Sequence, residues 1–254
     1  MLRRIVFLAA LFCCGLVRAE TITVSAALSL KEALNDIVQQ YSADTNDQVN
    51  LIFGNSVTLA GQIEKGASVD LYITAVNKPM DDLAADGYAD PATRTPVALN
   101  RLVLIVPANS KNPPHKFEDL ADGRFARIAI ADPKTVGMGE YAMQTFAALH
   151  LDATLAPRLV LGQNVRDVLI DVSLGQVDAG VVYVTDAALA PKTVTVAAIA
   201  PENSHDPIVY SAAVMKAGKA DAAAKFLNYL QSDKVRAILT ARGFGVPQST
   251  TRPA

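Results

Sequence analysis

Beyond its first nineteen residues the chain has no cysteine, because Cys13 and Cys14 both lie inside that segment. An exported protein of this composition has no disulfides to draw on, and its stability must come from a packed core. Histidine is scarce as well. The three histidines stand at 115, 150 and 205, without the spacing of a metal site. No run of lysine or arginine occurs, and setting aside Arg3, Arg4 and Arg18 leaves 20 basic residues against 25 acidic ones, a net charge near −5. Nucleic acid is therefore excluded as a natural partner. Long apolar runs are missing too. The longest, Ile5 to Val17, has thirteen residues, short of the ~20 that a membrane-spanning helix needs. No low-complexity tract, short repeat or Pro/Gly/Ser-rich linker interrupts the chain.

What stands at the amino end fits an export signal. Arg3 and Arg4 precede the apolar run, and Val17-Arg18-Ala19 supplies small residues where a signal peptidase reads. Residues 1–19 are thus expected to be a signal peptide cleaved after Ala19, with a periplasmic mature chain. The residues before Cys13 and Cys14 are not the small ones that lipid attachment favours.

The remaining 235 or so residues can supply one large core or two lobes of ordinary size. Apolar runs alternate with helical stripes. Thr21 to Ala26, Val49 to Phe53, Asp70 to Thr74, Leu102 to Val106, Arg127 to Ala131, Pro157 to Leu161, Ala179 to Val182 and Val209 to Met215 read as strands or apolar strand-like runs. Helices are expected from Leu30 to Tyr41, around Leu59 and Ile63, after Lys78-Pro79, over Gly139 to His150 and Asn164 to Ser173, and over the last two stripes from Ala220 to Arg242. This alternation predicts an α/β fold with largely parallel sheets. The segments Leu99 to Val106 and Ile208 to Met215 are candidates for crossings between two lobes.

Ser29 and Ser56 each follow a strand and a short turn and precede a helix. At such a position free backbone N–H groups and the helix dipole favour an anion, at the sheet edge where ligands of α/β folds bind. A local reading competes with this one. Ser29-Leu30-Lys31-Glu32 has the form of a capping box, and Asn55 or Ser56 could serve only as a cap. Gly54-Asn55-Ser56-Val57-Thr58 also approaches a nucleophile elbow but lacks its last glycine. Gly137-Met138-Gly139-Glu140-Tyr141-Ala142 fits a dinucleotide fingerprint only on paper, since five residues part it from the preceding strand.

A longer series of motifs is more specific. Ala26-Ala27-Leu28-Ser29-Leu30, Phe53-Gly54-Asn55-Ser56-Val57-Thr58-Leu59 and Val69-Asp70-Leu71-Tyr72-Ile73 are followed by Ala131-Asp132-Pro133 and Gly139-Glu140-Tyr141-Ala142. Asn164-Val165-Arg166, Asp178 to Ala187 and Pro201-Glu202-Asn203-Ser204-His205 complete the series. In this order, over essentially the whole chain after residue 19, the sequence resembles the molybdate-binding proteins of ABC importers. The resemblance implies a two-lobed type II periplasmic binding protein, each lobe a mixed, mostly parallel sheet flanked by helices, the two joined by crossing strands. Lobe 1 would comprise residues 20–100 and 207–254, and lobe 2 residues 101–206.

The resemblance further implies that molybdate or tungstate is held as an oxyanion, with no direct metal ligands and no cofactor. Ser29 and Ser56 would donate hydroxyls, Met138 and Val165 backbone N–H groups, and Tyr183 its phenol. Two departures mark this chain. Val136-Gly137-Met138-Gly139 replaces a run with proline and a small residue, so the Met138 side chain must point away from the anion. Gly54-Asn55-Ser56-Val57 replaces a run richer in serine. An acceptor-only dianion suits a site made of donors, each bond contributing roughly 1.5–3 kcal/mol. Five to seven such bonds suffice for the ~8–12 kcal/mol of micromolar to nanomolar binding. The expected molecule is a monomer, not an enzyme, that serves an inner-membrane ABC permease. An exported hydrolase using Ser56 and an extracytoplasmic anion sensor are the alternatives.

Overall fold

A computed structural model describes residues 19–248; most of the expected signal segment lies outside them. Ten strands form two five-stranded sheets. The first orders β2 (Gln48–Gly54), β1 (Thr21–Ala27), β3 (Leu71–Thr74), β10 (Val209–Val214) and β4 (Thr95–Leu99) side by side. The second orders β7 (Leu159–Gly162), β6 (Ile128–Ala131), β8 (Ala179–Tyr183), β5 (Leu102–Pro107) and β9 (Val194–Ile199). Each sheet has the same plan. Two parallel pairings, β1 with β2 and β3 or β6 with β7 and β8, occupy the part built from strand–helix–strand units. Two antiparallel pairings flank β10 in one sheet and β5 in the other. These two strands run antiparallel because each enters its sheet from the opposite lobe and not through a crossover helix.

The helices are α1 (Lys31–Thr45), α2 (Ser56–Glu64), α3 (Asn77–Ala85), α4 (Gly137–Ala148), α5 (Asp152–Leu155), α6 (Val165–Ser173), α7 (Val184–Ala187), α8 (Ala220–Tyr229) and α9 (Asp233–Ala241). Their apolar stripes decide which face is buried. In α1, Ala33, Leu34, Ile37 and Tyr41 turn inward, and Asn46 ends the helix in the left-handed conformation at φ 64°. In α6, Val165, Val168, Leu169 and Val172 turn inward. That helix lies so close to β8 that a Cβ on Gly180 would sit 2.7 Å from Val172 Cγ2, so only glycine permits the approach. Central strands such as β3 and β8 are buried along their whole length, as strands covered on both faces must be.

The chain leaves the first sheet after Leu99 and enters the second at Leu102, then returns between Ile199 and Val209. The two passages meet. The Asn100 N–H donates to the Ile208 carbonyl at 3.1 Å and the Ala200 N–H to the Leu102 carbonyl at 2.9 Å. Two strands depart from the pattern expected of the sequence. β4 and β9 are additional edge strands, and β9 is half exposed (Val196 43%, Ile199 53%). Helix α4 begins at Gly137, two residues earlier than expected, and β7 begins at Leu159 after a single 3₁₀ turn over Ala156–Arg158.

Candidate functional site

Ser29, Ser56, Met138, Val165 and Tyr183 line one small cavity between the two lobes. Ala27, Leu28, Gly54, Asn55, Ala75, Val136 and Gly137 complete its wall, and none of the lining residues carries a charge. Each predicted donor reaches the cavity for a distinct local reason.

Ser29 is buried in the 3₁₀ turn Leu28–Leu30 ahead of α1. The capping box is not formed, since the helix cap falls on Leu30 and no side chain caps it. The Ser29 hydroxyl instead lies 2.8 Å from the phenol oxygen of Tyr210 on β10, and Glu32 reaches across to Arg166. The 3₁₀ turn displaces the helix start by one residue, which takes Ser29 off the cap position. Ser56 opens α2. Its Oγ accepts the Ala75 N–H at 3.1 Å, while its own carbonyl accepts the Tyr72 hydroxyl at 2.7 Å. An oxygen already engaged as an acceptor has its proton left to give.

The two helix N-termini of the second lobe supply backbone donors. In α6 the Asn164 side chain caps the N–H groups of Arg166 (2.8 Å) and Asp167 (3.2 Å), leaving that of Val165 uncapped. In α4 the N–H groups of Gly139 and Glu140 turn back to the Val136 carbonyl, so the two that precede them, Gly137 and Met138, face outward from the helix end. Met138 is buried and packs in the main apolar core. Tyr183 ends β8. Its hydroxyl is fully buried and has no hydrogen-bond partner, and burial holds the phenol well above its ordinary pKa, so it remains a proton donor. A buried polar group without a partner costs about 1–3 kcal/mol, and in this position a bound acceptor would remove that cost.

Contacts across the cleft fasten the lobes together. The Asn55 amide donates to the Gln163 carbonyl at 2.9 Å, the Tyr141 hydroxyl to the Ala75 carbonyl at 3.1 Å, and Arg166 pairs with Glu32 at 2.6 Å. Arg166 also lies 3.3 Å from the buried carboxylate of Asp186. At Gly137 the lobes approach closely, as a Cβ there would stand 2.1 Å from Val76 Cγ1. Asn55, Ala75 and Gly137 were not singled out as separate contributors from sequence. Asn55 and Gly137 sit inside quoted motifs, whereas the Ala75 amide and carbonyl have no side-chain signal at all.

Ser56 has no catalytic partner in this setting, its one hydrogen-bonding neighbour at Oγ being a backbone amide. Hydroxyls and helix N-termini gathered from two lobes around a small uncharged cavity are the arrangement of a solute-binding protein. The chain belongs to the bacterial extracellular solute-binding protein family, whose model matches residues 22–245. It is 35% identical over 231 residues to the molybdate-binding protein ModA of Escherichia coli, covering 89% of each chain. It is 33% identical over 230 residues to ModA of Haemophilus influenzae, covering 88% of this chain and 89% of that one. Among solved structures, the periplasmic molybdate-binding protein of Azotobacter vinelandii superposes with a TM-score of 0.79 at 25% identity, over 89% of this chain and 100% of that one.

Proposed function

We propose that this protein captures molybdate or tungstate between its lobes and delivers it to an inner-membrane ABC permease. One observation carries the reading. Hydroxyls from Ser29 and Ser56 in one lobe and donors from Met138, Val165 and Tyr183 in the other line a single uncharged cavity. A fully ionised tetrahedral oxyanion accepts hydrogen bonds at every oxygen and donates none, so it satisfies all of them at once. The names of the relatives supply the element. The anion would be bound as the intact oxyanion, without cofactor or direct metal ligation and without turnover.

Periplasmic location after cleavage at Ala19, and a monomeric state, belong to the same reading. Among the described residues no helix is long and apolar enough to cross a membrane. Dividing the chain into lobe 1 (20–100 and 207–254) and lobe 2 (101–206) is supported by the change of sheet after Leu99 and again before Val209.

Isothermal calorimetry on the purified protein tests the proposal. Molybdate and tungstate should bind one per chain, sulfate and phosphate much more weakly. Ser56→Ala should weaken molybdate by roughly 1–3 kcal/mol. Ester hydrolysis abolished by Ser56→Ala, with no molybdate binding, would overturn the reading in favour of a hydrolase.

A further inference from the structure

A chain of hydrogen bonds runs from the lobe junction to the ligand cavity. It begins at Asn100, between β4 and β5 where the backbone passes from one lobe to the other. The Asn100 Oδ1 accepts the Arg101 N–H at 2.9 Å. A backbone N–H can only donate, so the side-chain amide is oriented without ambiguity and its Nδ2 must donate. Nδ2 gives one proton to Thr185 Oγ1 in the second lobe at 3.0 Å and the other to the Tyr210 phenol oxygen in the first lobe at 3.1 Å. The Tyr210 side chain is completely buried. Its oxygen accepts from Asn100, and Ser29 Oγ lies 2.8 Å away, a contact in which either oxygen could donate; with Asn100 already donating to the phenol, donation from Tyr210 to Ser29 is the arrangement that satisfies the phenol proton. Ser29 is then an acceptor on its inner side, and its proton points to the cavity.

We infer that Asn100 and Tyr210 are positioning residues that fix Ser29 as a hydrogen-bond donor toward the bound anion. The inference rests on the proposed oxyanion site and deepens it. Ser56 is set in the same way by a backbone amide, that of Ala75. Both serines therefore enter the cavity with the proton outward, by two unrelated routes. A serine free to rotate would spend part of its time presenting a lone pair to a ligand oxygen, which repels it. The chain narrows that option, because it engages one of the two lone pairs on the inner side. Because Asn100 also holds Thr185, its geometry depends on how the two lobes sit at their junction, so Ser29 is set as donor when the junction is in the arrangement seen here.

A double-mutant cycle distinguishes positioning from packing. Tyr210→Phe keeps the ring, which stands edge-on to Phe244 and Tyr183, and removes only the phenol oxygen. Molybdate dissociation constants are measured by calorimetry for the wild type, Tyr210→Phe, Ser29→Ala and the double variant, with melting temperatures recorded alongside. Tyr210→Phe should raise Kd about tenfold in the wild-type background and less than about twofold in the Ser29→Ala background. Equal effects in both backgrounds would mean that Tyr210 acts through packing and would overturn the inference. If Tyr210→Phe does not fold, Asn100→Leu enters the cycle in its place with the same expected coupling. A wild-type protein that binds no molybdate refutes the proposed ligand itself, whereas binding with additive variants refutes only the positioning chain.

Discussion

A hydroxyl's worth depends on what else it touches. Tyr183 illustrates this most sharply, because its buried phenol oxygen has no partner within the protein. Tyr183→Phe should therefore act with opposite signs on two measurements. The ligand-free protein should be as stable as the wild type or more stable, by up to about 1–3 kcal/mol in urea unfolding, since a desolvated and unpaired group has been deleted. Molybdate affinity should fall by about 1.5–3 kcal/mol, the value of a bond to a charged acceptor. A variant that loses stability and affinity together would show the phenol to be a structural group. The five positions proposed as donors could be named from the sequence because each lies in a motif whose order along the chain is distinctive, and the structure gathers them around one cavity. Their partners could not. Asn100 and Tyr210 stand 110 positions apart, Ser29 and Tyr210 181 apart, and no local pattern announces a bond over such a span. The Ser29 capping box illustrates the converse error, in which a sound local signal is overruled once a 3₁₀ turn and a distant tyrosine compete for the same hydroxyl.

Among the elements, α4 concentrates two demands for glycine within three residues, and they predict different failures. A Cβ on Gly137 would meet Val76 Cγ1 of the opposite lobe at 2.1 Å, and with Val76 Cβ at 3.3 Å rotation of that side chain gives little relief. A Cβ on Gly139 would meet the Ala131 carbonyl oxygen of its own lobe at 2.0 Å. Gly137→Ala should thus leave the melting temperature nearly unchanged while holding the lobes apart. Its molybdate Kd should rise about tenfold or more, with an increased radius of gyration by small-angle scattering in the presence of the anion. Gly139→Ala should lower stability by about 1–3 kcal/mol in urea unfolding, the usual range for forced overpacking, outweighing the ~1 kcal/mol that alanine normally gains in a helix. If both variants behaved alike, the division between closure and folding drawn at this helix would be wrong. The fully buried strands were readable as apolar runs. The edge strand β9 was passed over, although Val194 to Ile199 is apolar and rich in β-branched residues; its exposed Val196 and Ile199 show that such a segment need not lie in the core.

At the scale of the molecule, the ion pair of Arg166 with Glu32 across the cleft is backed by Asp186, whose carboxyl is pushed up to about 7, chiefly by burial, with Glu32 adding to the rise and Arg166 opposing it. The folded protein therefore retains a proton that the unfolded chain releases near its ordinary pKa of about 4. Stability from this group is complete below that value and is lost as pH climbs through the window up to about 7. Asp186→Asn should flatten the curve, so its urea midpoint should gain on the wild type between pH 5 and pH 8. A parallel pH dependence in the two proteins would refute the assignment. The absence of any charged side chain from the cavity wall has a different consequence. A receptor that relied on lysine or arginine would lose its grip as dissolved ions crowded around the attracting charge. If recognition rests on the short-range dipoles that line this cavity, as proposed, capture should be nearly as firm in brine as in fresh water, and parting the lobes would release the cargo with no opposite charge in the wall to hold it back.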